Sequence, residues 1–297
     1  MKHAILITAY KDISNLVELV SGFDDNYEIY IHLDAKVYLH ERLFHFIEQL
    51  PQVKKIGRIH SINWGGRNHI DAILWLCRQA LMNTSEEVKY FHLVSGGDLL
   101  IKRTTDFCRY FEDHAGKNFL DYFSLPYKGW TGGGLNRLAW RHPLDRLDLH
   151  DSRQNAVYNR YIRMQTKYGS PRDLPEFIVY GGSSWWSLTR EAVSYICANH
   201  NYRGWYDRLE DTFAPDEMYV QTLLLNSPLK ETVANNNLRH ILWEYRNGNC
   251  PAVLDKNDIS ALLASEAMFA RKVDSHISRE LITFFNGFRN KQIRNGQ

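Results

Sequence analysis

Short apolar runs alternate with amphipathic stretches along the first hundred residues. Residues 3–8 (HAILIT) form a continuous apolar run, the signature of a strand covered on both faces. Residues 12–21 place Ile13, Leu16, Val17 and Val20 on one stripe and predict a helix. The alternation repeats, with strands predicted at 28–33 (EIYIHL), 54–59 and 90–94 (YFHLV) and helices at 39–50 and 68–83. Such alternation implies parallel strands joined by helical crossovers, an α/β fold. In such sheets ligands sit beyond the carboxyl ends of the strands. Asp34 and Asp98 both fall there, although either alone would serve equally as a turn residue.

The second half is less regular. A helix is predicted at 104–114 and a strand at 118–124, followed by an irregular region over 125–176 that contains Gly132, Gly133 and Gly134. No Gly-Lys-Ser/Thr follows those glycines, so they are not a phosphate loop; a mobile loop near a substrate and a plain connector both fit. Strands on either side of Gly181-Gly182 lead to a helix at 190–199. Pro215 suits the first position of a helix, which would put Asp216 and Glu217 in its first turn. The exposed N–H groups and helix dipole there keep a carboxylate ionised, as a general base requires. Glu217 reads equally well as a helix cap. A strand at 238–243 and helices at 257–265 and 277–290 complete the chain. We expect one domain over 1–276, then a C-terminal helix and basic tail over 277–297.

Composition narrows the chemistry. A net charge of +2 lacks the clustered basic surface of nucleic-acid binders, so no nucleic-acid partner is expected. Cys77, Cys108, Cys197 and Cys250 form no C-x-x-C pair and read as free thiols in a reducing compartment. No signal peptide is visible and no run approaches the roughly 20 apolar residues that span a bilayer. The expected location is cytoplasmic, with peripheral attachment at the inner face of the cell membrane compatible. The 13 histidines include no HExxH, and no Asp-x-Asp stands at a strand end to hold a divalent ion on a diphosphate, so no metal is expected. Aromatic residues, at 13%, are plentiful enough to supply flat surfaces for sugar rings as well as core packing.

One carboxylate base, aspartates at strand ends, aromatic surface and the late pair Arg271-Lys272 fit sugar transfer from a nucleotide donor. The base removes the acceptor proton, and the cations neutralise the departing diphosphate. Adjacent Asp216 and Glu217 cannot flank a bond from both sides, as a glycoside hydrolase requires.

Seven short motifs occur in order: HLDAK (32–36), WGG (64–66), LVSGGD (93–98), GGSSWWSL (181–188), PDE (215–217), LRHILW (238–243) and FARK (269–272). Together they resemble the core-2/I-branching β-1,6-N-acetylglucosaminyltransferase and peptide O-xylosyltransferase family, in a compact bacterial-type form. The resemblance implies a GT-A type fold with a mostly parallel central sheet, an inverting mechanism, a UDP-sugar co-substrate and no divalent metal or other cofactor. It makes Glu217 the catalytic base and assigns Arg271 and Lys272 to the donor diphosphate. Asp34 falls to the uridine side and Asp98 to the donor sugar, while Ser183 and Trp185 border the acceptor and Trp243 is a further acceptor contact. GlcNAc leads as the donor sugar, with xylose or another sugar as the alternative. The acceptor is expected to be a glycan or lipid-linked saccharide. A non-catalytic carbohydrate-binding relative is the remaining reading. Two positions depart from the family pattern: Leu100 where proline is usual, and Val273 where an aromatic residue follows FARK.

Overall fold

In the computed structural model, which describes residues 1–290, the apolar runs resolve into a seven-stranded sheet. β1 (Lys2–Ala9), β2 (Tyr27–Leu33), β3 (Val53–Gly57) and β4 (Val88–Ser95) are parallel in the order β3-β2-β1-β4. Parallel pairing needs crossovers, and α1 (Ile13–Ser21), α2 (Glu41–Glu48) and α3 (Asn68–Asn83) supply them. Side chains alternate across β1. Ala4 and Leu6 join the core beneath α3, while Ile5 and Ile7 join the one beneath α1 and α2.

The chain then makes β5 (Asp98–Leu100), α4 (Thr104–Asp113), β6 (Asn118–Leu120) and β7 (Phe123–Ser124). The short α5 (Asn136–Ala139) and the long α6 (Ser152–Tyr168) precede β8 (Tyr180–Gly181), β9 (Trp186–Thr189) and α7 (Arg190–Ala198). α8 (Trp205–Arg208), α9 (Tyr219–Leu225) and β10 (Val233–Asn235) follow. β9 runs antiparallel between β4 and β6, and β10 closes that edge parallel to β6. This is the mostly parallel, helix-flanked α/β architecture that the sequence predicts.

β11 (Arg239–Ile241), α10 (Ile259–Ala264), β12 (Phe269–Arg271) and α11 (Arg279–Asn290) end the described chain. β12 lies between β11 and β5 in a separate three-stranded sheet, which places Arg271 directly opposite Asp98. α11 buries Leu281, Ile282 and Phe285 against this sheet. The basic tail expected after it lies outside the described residues.

Two local expectations are corrected. The region 125–176 holds a 17-residue helix, α6. Pro215–Glu217 is not the first turn of the following helix but a separate 3-10 turn, because Met218 at φ −130° breaks the helical path before α9.

Candidate active site

The carboxyl ends of β1, β2 and β4 form the floor of a cleft. Asp34, just beyond β2, is buried and donates its backbone N–H to Ala9 O at 2.8 Å. Its Oδ1 accepts the backbone N–H of Lys36 at 2.9 Å. Asp98 is buried two residues beyond the Gly96 turn, with its Oδ2 accepting the backbone N–H of Ser95. Its Oδ1 stands 3.1 Å from Arg271 Nε, and the Arg271 guanidinium lies over the Trp185 ring at 4.2 Å. Burial pulls Arg271 below the ordinary arginine pKa, while Asp98 supports its charge. Lys272 is also depressed, by burial and then by Arg271 and Lys11, and its ammonium makes no ion pair among the described residues. A bound anion would relieve both costs.

The Pro215–Glu217 turn is joined to these strand ends through His69, which contacts both Asp216 and Thr8. Ala214 enters it at φ 46°, its N–H held by Gly65 O at 2.8 Å, and Trp64 packs edge-on against Phe213 at 5.4 Å. The WGG segment thus buttresses the PDE segment. Glu217 keeps 36% of its side chain exposed and accepts a 2.6 Å hydrogen bond from Arg137 Nη1. Burial raises the Glu217 pKa and the charge of Asp216 raises it further, with Arg137 opposing both. The helix-dipole expectation of a carboxylate held easily ionised is therefore corrected for Glu217.

Asp216 behaves in the opposite way. Burial disfavours its charge, but hydrogen bonds from His69 Nδ1 at 3.1 Å and Ser184 Oγ at 2.7 Å hold it below the ordinary carboxylate range. The same His69 ring reaches Thr8 Oγ1 at 3.4 Å and meets Trp185 edge-on at 6.2 Å. Ser183 is tied down through its carbonyl, which accepts Gln221 Nε2 at 2.6 Å, and Gly182 N–H donates to Glu217 O at 2.8 Å. These contacts link Asp98, Arg271, Trp185, His69 and Asp216 side chain to side chain, with Ser183 and Glu217 as sequence neighbours of Ser184 and Asp216 and with Asp34 tied to the β1 end. Trp243 is 74% exposed and shares no ring or hydrogen-bond contact with them among the described residues, so the expected grouping fails there.

Three groups were not anticipated. His69, at the start of α3, had only its place just after WGG as a signal. Arg137 had none; its guanidinium stacks on Trp130 at 3.6 Å, and the positive-φ glycines 132–134 turn the chain around that ring. Arg239 is buried and donates to Leu93 O at 2.8 Å, Trp186 O at 2.7 Å and Ser187 Oγ at 2.8 Å, tying β4 to β9 beneath the cleft.

Beside Arg137 opens a cavity of about 420 Å³, walled by Trp130, His142, Tyr158 and Phe213. His142 Nδ1 is 2.7 Å from Tyr158 OH, and burial brings its pKa down to about 4, so the ring is neutral. His142 Nε2 and Asn136 Oδ1 are buried without a hydrogen-bond partner among the described residues. Neutral polar atoms and aromatic walls suit a hydroxyl-rich ring. No group of three or more His, Cys, Asp or Glu side chains is arranged to hold a metal ion among the described residues.

The family model for the Core-2/I-Branching enzyme matches residues 4–265, ending before Phe269 and the Arg271-Lys272 pair. Xylosyltransferase 1 of Rattus norvegicus is 26% identical over 276 residues, covering 85% of this chain and 31% of its own length. A xylosyltransferase of Ciona intestinalis is 24% identical over 295 residues, covering 92% of this chain and 32% of its own. The chain thus spans about a third of the length of these relatives. Among solved structures, mouse xyloside xylosyltransferase 1 in its apo form aligns over 91% of this chain and 97% of its own, with TM-score 0.39 and 10% identity. S. aureus TarS 1-349 in complex with UDP-GlcNAc aligns over 40% of this chain and 34% of its own, with TM-score 0.31 and 15% identity.

Proposed function

The chain belongs to the Core-2/I-branching enzyme family, and from that premise we propose that it is an inverting glycosyltransferase that uses a UDP-sugar. The observation that carries the reading is Glu217, a partly exposed carboxylate of raised pKa whose neighbour Asp216 is tied through His69 to the Trp185 ring that carries the Arg271 cation. The acceptor hydroxyl gives its proton to Glu217 as its oxygen bonds to the anomeric carbon. The bond from that carbon to the diphosphate breaks on the far side, and its electron pair leaves with UDP. Arg271 and Lys272 neutralise the departing charge, the role a divalent metal would otherwise fill, so transfer is proposed to be metal-independent.

Asp34 is assigned to the uridine side and Asp98 to the donor sugar, directly and by orienting Arg271. Ser183 and Trp185 border the acceptor, whose ring enters from the cavity beside Arg137. The exposed Trp243 is kept as an outlying acceptor contact. GlcNAc stands first as donor on the motif resemblance. Similarity to proteins named xylosyltransferase over most of this chain favours xylose as the second reading.

The test is UDP release from a panel including UDP-GlcNAc and UDP-xylose, with and without EDTA. Glu217→Gln should lose roughly 10²- to 10⁴-fold in turnover, the usual contribution of a general base, while UDP affinity stays near wild type. Turnover that dies with EDTA would refute metal independence. A Glu217→Gln variant as active as wild type would refute the base assignment.

A further inference from the structure

α6 is attached to the body of the protein by its polar side. Tyr158 is its one buried residue and reaches His142. Gln165 exchanges hydrogen bonds with the backbone N–H and carbonyl of Arg141 at 3.1 and 2.6 Å, and Gln154 Oε1 accepts the N–H of Asp148 at 2.8 Å. Those three residues form one stripe at helical spacing. Val157, Tyr161, Met164 and Tyr168, at i, i+4, i+7 and i+11, form a second stripe along the edge of the first, and all four are exposed, Tyr168 at 68%. A helix packed only for stability turns such a stripe inward.

The charge is equally one-sided. Arg153, Arg160, Arg163 and Lys167 are exposed, and residues 152–168 contain no Asp or Glu. Arg153, Arg160 and Lys167 recur every seven residues, so they run as a line along one flank of the apolar stripe, with Arg163 beside them. An exposed tyrosine and methionine stripe edged by a line of uncompensated cations matches an interface that is apolar inside and negatively charged at its surface. We propose that α6 docks this protein on an anionic lipid surface, with the apolar stripe in the headgroup boundary and the basic line on the phosphates. Among the described residues no helix is long and apolar enough to cross a membrane. Tyr158 on the same helix also lines the cavity beside Arg137, which brings that cavity to the lipid surface, where a lipid-linked saccharide would be presented.

Docking is read separately from transfer, by flotation of the full chain with vesicles. It should partition onto phosphatidylglycerol-containing vesicles and not onto pure phosphatidylcholine, and high salt should weaken the binding. Each basic residue contributes roughly fivefold at an anionic surface, so Arg160→Gln with Arg163→Gln should weaken partition by roughly 25-fold. Tyr161→Ser with Met164→Ser should also weaken it, and Arg160→Lys with Arg163→Lys should retain it. The exposed positions leave the Gln154, Tyr158 and Gln165 anchors intact, and an unchanged circular dichroism melt confirms each variant's fold. Absence of binding to anionic vesicles, equal binding to both lipids, or full binding by the glutamine or the serine double variant would overturn the proposal. A solution dimer that the same substitutions dissociate would assign the face to a second copy and also overturn it.

Discussion

Adjacent carboxylates at 216 and 217 are driven in opposite directions by their neighbours. Asp216 has a histidine and a hydroxyl as donors and is fixed in its ionised form; Glu217 is raised by burial and by Asp216, with only Arg137 to counter them. Pairs separated in this way divide the work, one group positioning and the other exchanging the proton. Removing Arg137 takes away the one influence that lowers the Glu217 pKa. Arg137→Ala is therefore expected to move the acid limb of the pH–rate profile to higher pH, and Arg137→Lys should return part of the shift. A pH profile of kcat/KM reads this, and an unmoved limb would show that the ion pair does not govern the base. The motif residues around this chemistry were legible in the sequence because short patterns carry them. Arg137 and His69 were not, since their carboxylate partners lie 80 and 147 residues away along the chain.

The cleft depends on a few turns that regular periodicity does not reveal. Gly182 passes so close to β6 and β7 that an added Cβ would stand 1.9 Å from Asp121 O, a backbone atom that cannot swing aside. Its neighbour Gly181 would press a Cβ to 2.8 Å from the Trp130 ring, which carries Arg137. Gly182→Ala should thus displace the turn whose N–H holds Glu217 O. The expected outcome is a loss of about 1–3 kcal/mol in unfolding free energy, with activity falling more than stability. Chemical denaturation alongside turnover checks this, and an alanine variant of wild-type stability would contradict the close approach. The alternating strands and crossover helices of the first hundred residues were readable because two-sided burial leaves continuous apolar runs. α6 escaped because its inward stripe is Gln154, Tyr158 and Gln165 and its apolar stripe faces out. The PDE segment read as a helix start because Pro215 does open a turn; the break at Met218 comes from the Gly65 tether and packing that no local pattern encodes.

Across the whole molecule, histidines placed where water cannot reach set a limit on acid stability. His3 and His92 face each other at 3.1 Å beneath the sheet, among Phe107 and Phe111, and burial lowers both, His3 to about 3. His32 of the HLDAK motif is buried on β2, accepts the backbone N–H of His60 at 3.1 Å, and is lowered to about 4, chiefly by burial. In the unfolded chain each would titrate near the ordinary value of 6.5. Between that value and the folded one the unfolded state binds more protons, so stability must fall as pH falls through this window and level off above it. For His32 alone the loss from pH 6.5 to 4 is on the order of 3 kcal/mol, or roughly 5 °C in Tm for a chain of this size. Carboxylates held low, such as Asp216 and Asp274, push the same way, but below the ordinary carboxylate value of 3.8, so the two contributions separate along the pH axis. A series of thermal melts should show the midpoint dropping first between pH 6.5 and 4, before the carboxylates held low, Asp216 and Asp274, titrate. A midpoint flat over that interval would mean that the buried rings find protons in the folded state, against their apolar surroundings.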